Sequence, residues 1–145
     1  MLRINRQTDY AFRVILFLAK RPSGTRISSA TIKQEMLIPP ALSLRIIAEL
    51  AHGEFIRTFP GRDGGIQLAR SAEEISMWDV INLFEGPIYL SECLTDDLDC
   101  PLETKCPIRR RWGPLHRVLR KELEKITFKD LALETEEIPE LLMAA

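Results

Sequence analysis

A mainly α-helical fold with one small β-hairpin is what the sequence predicts, on three observations. Apolar residues recur at helical spacing from residue 8 to 20, through the segment opened by Pro39-Pro40, and again after Pro107. Two short alternating runs flank a glycine-rich stretch at 59–65, the pattern of a hairpin. The 145 residues, 46% apolar and 28% charged, are enough for one core with a small annex, which excludes both a large enzyme and global disorder.

The first helix is expected over 8–20, with Ala11, Val14, Ile15 and Leu18 on one face and Thr8 and Asp9 serving its N-terminal end. Arg21-Pro22-Ser23-Gly24 stops it, and Ser28 or Ser29 caps a short second helix carrying Ile32. Met36-Leu37-Ile38 makes a tight apolar turn, and Pro39-Pro40 pre-sets a third helix that ends at Gly53. Within it Leu42, Ile46, Ile47 and Leu50 form a buried stripe, leaving Ala41, Leu44, Arg45, Ala48 and Glu49 outward. Phe55-Ile56-Arg57-Thr58 and Ile66-Gln67-Leu68-Ala69 then form the hairpin around Phe59–Gly65. Three helices and a hairpin in this order, within about 70 residues, are the order of a winged helix-turn-helix, with the third helix in the major groove of DNA and the hairpin as the wing. The positions that would meet a double-stranded operator are Ala41, Leu44 and Arg45 on the helix and Arg57, Arg62 and Gly64 in the hairpin. Arg45 is the best base-edge reader, and Arg62 suits phosphate or the minor groove.

The charge distribution agrees with this reading. Residues 1–70 hold 11 Lys/Arg against 5 Asp/Glu, whereas 71–145 hold 9 against 16, so a basic front is joined to an acidic back. In that back half Ser71-Ala72-Glu73-Glu74 is a capping-box pattern, and Ser76 caps a helix through Phe84 that Gly86-Pro87 ends. After a polar segment, Ile108, Trp112, Leu115, Leu119, Leu123 and Ile126 line one side of a long helix in which Gly113-Pro114 is a potential kink. Such a stripe on so small a chain favours a homodimer seam over internal core. Thr127 and Asp130 mark a further short helix. The domain plan is therefore a DNA-binding region over 1–70, a sensing loop and dimerisation helix over 71–133, and a flexible acidic tail over 134–145. No apolar run approaches the roughly 20 residues of a membrane span, and the first helix carries no small-residue cleavage site, so a cytoplasmic location is expected.

Cys93, Cys100 and Cys106 are the chain's three cysteines, bunched in one polar segment. An odd number in one loop suits metal ligation or redox chemistry better than a disulfide framework. Zinc sites commonly draw ligands two to four residues apart, whereas gaps of six and five residues leave room for a larger thiolate-bound group, an iron-sulfur cluster of 2Fe-2S or 4Fe-4S type. Three thiols sharing a loop by chance and a metal-free thiol switch are the alternatives. A cluster on three cysteines needs a fourth ligand. His116 reads as a solvated helix residue and His52 as a contact to DNA phosphate or water, which leaves a carboxylate. Asp96, Asp97, Asp99 and Glu103 lie in the loop, and Asp9 qualifies only if another subunit brings it near.

With these residues in view, positions 1–133 resemble the IscR/NsrR/RirA family of winged-helix iron-sulfur transcription regulators. The carriers are Thr8-Asp9-Tyr10-Ala11-Phe12-Arg13, the wing Gly61-Arg62-Asp63-Gly64-Gly65, the segment from Glu74-Ile75 through Asp79-Val80-Ile81, and Cys93, Cys100 and Cys106-Pro107-Ile108-Arg109 with Trp112. The resemblance implies a homodimer crossed through the long helix, a cluster on Cys93, Cys100 and Cys106, and repression or activation that changes when iron supply, nitric oxide or oxidant alters the cluster. Two departures stand out. Arg109 occupies a position where the IscR branch has a histidine ligand, and the resemblance of Thr8-Asp9 to the NsrR branch instead favours Asp9, supplied by the partner subunit. Leu44 and Pro60 stand where the IscR branch has polar or basic DNA contacts, so operator sequence does not transfer. A thiol- or zinc-dependent regulator without a cluster is the nearest alternative function, and a small iron-sulfur electron carrier a more distant one. No nucleophile, base and orienting group come together in the sequence to suggest an enzyme.

Overall fold

The computed structural model describes residues 3–96 and 99–137. Helix α1 spans Arg6–Ala19, α2 Ser29–Glu35 and α3 Pro40–His52; strands β1 (Ile56–Phe59) and β2 (Gly65–Leu68) follow, then α4 (Met77–Glu85), α5 (Pro107–Lys125) and α6 (Phe128–Glu137). Short 3-10 turns occupy Ala72–Glu74 and Glu92–Leu94.

Helix α1 starts two residues before the expected position, because Asn5 is its cap: the Asn5 side chain accepts the Thr8 backbone N–H at 2.9 Å. Thr8 is fully buried, and its hydroxyl donates to Glu85 of α4 at 2.5 Å. Ser28 caps α2 by accepting the Thr31 N–H at 3.1 Å. The chain reverses at Leu37, whose φ of 52° is left-handed, while Ile38 turns into the core. Pro39 and Pro40 then open α3, and Gly53 ends it.

Strands β1 and β2 pair antiparallel with Ile56 opposite Leu68 and Phe59 opposite Gly65. Ile27 adds a bridge on the far side of β2, exchanging backbone hydrogen bonds with Ile66 at 2.9 and 2.7 Å. Gly65 is required there: its φ is 138°, and a Cβ would lie 2.9 Å from the Ile27 carbonyl oxygen. Ser71 with Glu74, and Ser76 with Asp79, form capping boxes that start the 3-10 turn and α4.

Val14, Ile15 and Leu18 of α1, Ile32, Ile46, Leu50, Ile56 and Ile66 form the centre of the core. Ile75, Val80 and Phe128 belong to the same cluster, so the boundary expected at residue 70 does not divide the packing. Phe128 lies 6.0 Å from the Phe12 ring, and its N–H donates to the Ile75 carbonyl at 2.9 Å, while the Met77 N–H donates to Ile126. These contacts fasten the far end of α5 back onto the head. Helix α6 continues through Glu137, so the first residues of the expected flexible tail are helical; 138–145 lie outside the described residues.

Helix α5 runs unbroken through Gly113 and Pro114. Its apolar stripe divides. Trp112, Leu119 and Leu123 are half-buried on the side that packs against α4, whereas Ile108, Leu115 and Val118 are 64%, 53% and 58% exposed. His116 is not the solvated residue expected. It stacks on Tyr89 at 5.7 Å and meets Trp78 edge-on at 6.4 Å.

Candidate functional site

Two features of the molecule are built for contact. The first is the outward side of α3 with the hairpin beside it. Ala41, Leu44 and Arg45 are exposed as expected, one helical turn apart, because Ser43, Ile46 and Leu50 hold the opposite side in the core. Arg57 points to solvent from β1 and Arg62 from the loop beyond it. Among the described residues, none of Arg45, Arg57 and Arg62 is ion-paired with an acid. Three solvated guanidinium groups on α3 and on the hairpin that packs beside it suit a polyanion. His52 is exposed at the C-terminal end of α3.

Gly64 contributes shape to this surface. Its N–H closes a turn onto the Gly61 carbonyl at 3.1 Å, and a Cβ would fall 2.0 Å from the Phe59 carbonyl oxygen, so only glycine keeps the hairpin tip this tight. Arg26 is a cation that sequence reasoning missed. It is exposed and lies 3.6 Å over the Phe59 ring, beside the hairpin. The stacking partner is 33 residues away, so no local pattern marks it.

The second feature is the cysteine segment. All three thiols are free and half-buried, and Cys93, Cys100 and Cys106 line one cavity with Glu103 and Arg109. Each is placed by a local backbone device. The Ser91 side chain accepts the Cys93 N–H at 3.3 Å, the Cys100 carbonyl accepts Glu103 N–H at 3.0 Å to close a turn, and Cys106 is the N-cap residue of α5. The cavity is small and opens to solvent, with the three thiols, Glu103 and Arg109 as its walls. Among the described residues no three His, Cys, Asp or Glu are gathered closely enough to hold a single metal ion.

The charged side chains of the cavity wall are one base and one acid, paired with each other. The N-terminal end of α5 presents the positive pole of the helix dipole, and Arg109 adds a cation that is held in place by an ion pair with Glu103. Arg109 thus occupies the wall rather than ligating. Three thiols lining one cavity are the donor type that soft metal centres and thiol chemistry use.

Of the carboxylates considered, Glu103 lines the cavity and Asp97 lies outside the described residues. Asp9 is exposed in the first turn of α1, where its Oδ2 accepts from Arg13 at 2.8 Å. The same Arg13 donates to the Met36 carbonyl at 3.3 Å, linking α1 to the turn before α3.

Three helices, a hairpin beside an exposed third helix, and a long helix following them are the arrangement of winged-helix DNA-binding regulators. Residues 4–134 match the Rrf2 family model, described as iron-dependent transcriptional regulator, and the chain belongs to that family. It is 31% identical over 145 residues to the HTH-type transcriptional regulator NsrR of Shouchella clausii, covering 97% of this chain and 95% of that one. Among solved structures, CymR, the global cysteine regulator of B. subtilis, superposes with a TM-score of 0.77 at 24% identity, covering 93% of this chain and 99% of that one. T. potens IscR superposes with a TM-score of 0.71 at 20% identity, over 94% and 90% of the two chains. The fold is that of winged-helix regulators. Among the described residues no helix is long and apolar enough to cross a membrane.

Proposed function

We propose that the protein is a cytoplasmic homodimeric repressor that binds a double-stranded operator through α3 and the hairpin, and whose operator affinity depends on an iron-sulfur cluster held by Cys93, Cys100 and Cys106. The observation that carries this reading is the convergence of the three free thiols on one cavity at the positive end of α5. Bound there, a cluster would supply a centre whose loss or modification by iron depletion, nitric oxide or oxidant changes the ligand set. Asp9 of the partner subunit would complete that set. Its carboxylate is exposed and would have to exchange Arg13 for the metal, a hard oxygen donor among soft thiolates and therefore the weakest corner.

Dimerisation rests on the exposed half of the α5 stripe, Ile108, Leu115 and Val118, which a second α5 would cover. Coupling follows from the chain's own connections: α5 is tied to the head along its middle, where His116 and Arg120 meet Trp78 of α4, and at its C-terminal end, where Met77 bonds to Ile126 and Phe128 to Ile75. A change at the cysteine segment therefore acts on the head through α5 and, across the dimer, through Asp9 on α1.

The deciding experiment is the ultraviolet-visible spectrum with iron and sulfide content of anaerobically purified protein, alongside Cys93→Ala, Cys100→Ala and Cys106→Ala. Each variant is expected to stay folded and dimeric and to lose stable iron and sulfide. Full retention by any one removes that cysteine from the ligand set. A colourless protein with stoichiometric zinc, or one whose DNA affinity responds to thiol oxidation without iron, establishes the second reading. That reading, a regulator that answers to thiol or cysteine chemistry, is favoured by the likeness to CymR.

A further inference from the structure

The outward side of α3 is chemically unusual for a surface meant to lie in a polar groove. Leu44 is 78% exposed while Ile46 and Leu50 of the same helix are fully buried. Ala41 and Ala48, three residues before it and four after it, are also exposed and present methyl groups on the same side. Arg45 and Glu49 supply the charged groups on this side of the helix.

We infer that this apolar strip reads thymine, with Leu44 packing on the 5-methyl group of a thymine close to the base contacted by Arg45. The inference rests on the proposed placement of α3 in the major groove and specifies what it recognises there. The argument is one of matching surfaces. Along the major-groove edge, adenine, guanine and cytosine present hydrogen-bond donors and acceptors, and thymine adds the apolar methyl. Leu44 has no hydrogen bond to offer, so bringing it against the other base edges would desolvate their polar atoms without compensation. Against a thymine methyl both partners leave water with nothing left unpaired. The flanking cations Arg45, Arg57 and Arg62, none paired with an acid among the described residues, match the phosphate backbone and make DNA, not a second apolar protein surface, the occupant.

The test starts with the anaerobically purified full-length protein and a random duplex library, from which the preferred duplex is selected. That duplex is then remade with deoxyuridine replacing thymidine one position at a time, which removes the methyl and leaves pairing intact. Wild-type affinity is expected to fall about fourfold at one or two positions, the equivalent of the ~0.8 kcal/mol for burying one carbon. Leu44→Ala, an exposed change that spares the core, is expected to bind thymidine and deoxyuridine duplexes alike at those positions while keeping the preference that Arg45 confers. Equal wild-type affinity for both duplexes overturns the inference and leaves major-groove binding intact. So does a Leu44→Ala protein that still prefers thymidine, or one whose only change is in oligomeric state. Failure to enrich any duplex overturns the DNA-binding placement of α3 and this inference with it.

Discussion

Removing the Glu85 carboxylate isolates the contact that anchors the start of α1. Glu85 Oε1 accepts from the Asn5 backbone N–H at 2.9 Å and from the Thr8 hydroxyl at 2.5 Å, and Oε2 accepts from Asn5 Nδ2 at 3.0 Å. Asn5 is exposed, so in Glu85→Ala water replaces both of its lost acceptors, and each bond contributes only about 0.5 kcal/mol. Thr8 is different. It is fully buried, its remaining acceptor is Asn5 Oδ1 at 3.3 Å, and losing the close partner costs about 1–2 kcal/mol. Together the loss is about 2–3 kcal/mol, which at roughly 3 °C per kcal/mol for a chain of this size lowers Tm by about 6–9 °C. Thermal unfolding followed by far-ultraviolet circular dichroism reads the shift, with Glu85→Gln as the control that retains an acceptor for Thr8 and recovers more than half of it. A Glu85→Ala protein melting within about 2 °C of wild type would refute the reasoning, since that leaves under ~0.7 kcal/mol for all three bonds.

Phe128→Ala should cost about 3–5 kcal/mol in urea unfolding, with a single cooperative transition, because it empties a fully buried site shared by α6 and the head. Two transitions would mean that α6 does not belong to that core. In fluorescence-anisotropy titrations Arg45→Ala should flatten sequence preference by about 1–3 kcal/mol, whereas Arg62→Ala should weaken all duplexes alike and reduce the salt slope by about 1. Asp9→Ala should assemble a cluster that is lost faster in air and no longer changes operator affinity, measured by absorbance decay and by titration of the cluster-bound and cluster-free forms. Unchanged lifetime and unchanged coupling would place the fourth ligand elsewhere.

The legible parts of the fold are those whose signals are local. Ser28, Pro39-Pro40, Gly53, Ser76 and Gly86 each act within a few residues, and the elements they bound are where the sequence puts them. The start of α1 is not legible because Thr8 has the chemistry of a cap, yet it is buried and donates to a carboxylate 77 positions away. His116 reads as solvated in sequence for a similar reason: Trp78 and Tyr89, which pack against it, are distant in the chain. The long-helix stripe reads as one-sided in sequence but divides in the structure, because periodicity does not distinguish apolar positions packing on α4 from those left outward. At the sites, the outward residues of α3 follow directly from its buried stripe. The cysteine cavity was foreshadowed by bunching alone, while Glu103 fixing Arg109 in its wall required the turn at Cys100 to be known.

Among the described residues, nothing between Ile81 and Phe128 is part of the buried core, although that span carries every cysteine. The body folds around α1, α3, the hairpin, α4 and the foot of α6, and the cysteine segment is strung between two helices that are already held. Doubling the length of such a segment costs only about 0.6 kcal/mol of closure entropy. The architecture thereby separates two inheritances. One set of residues is answerable to the hydrophobic interior and tolerates little change, and another is answerable only to chemistry outside the protein. Substitutions in the cysteine segment therefore leave untouched the buried contacts that hold α3 and the hairpin in place.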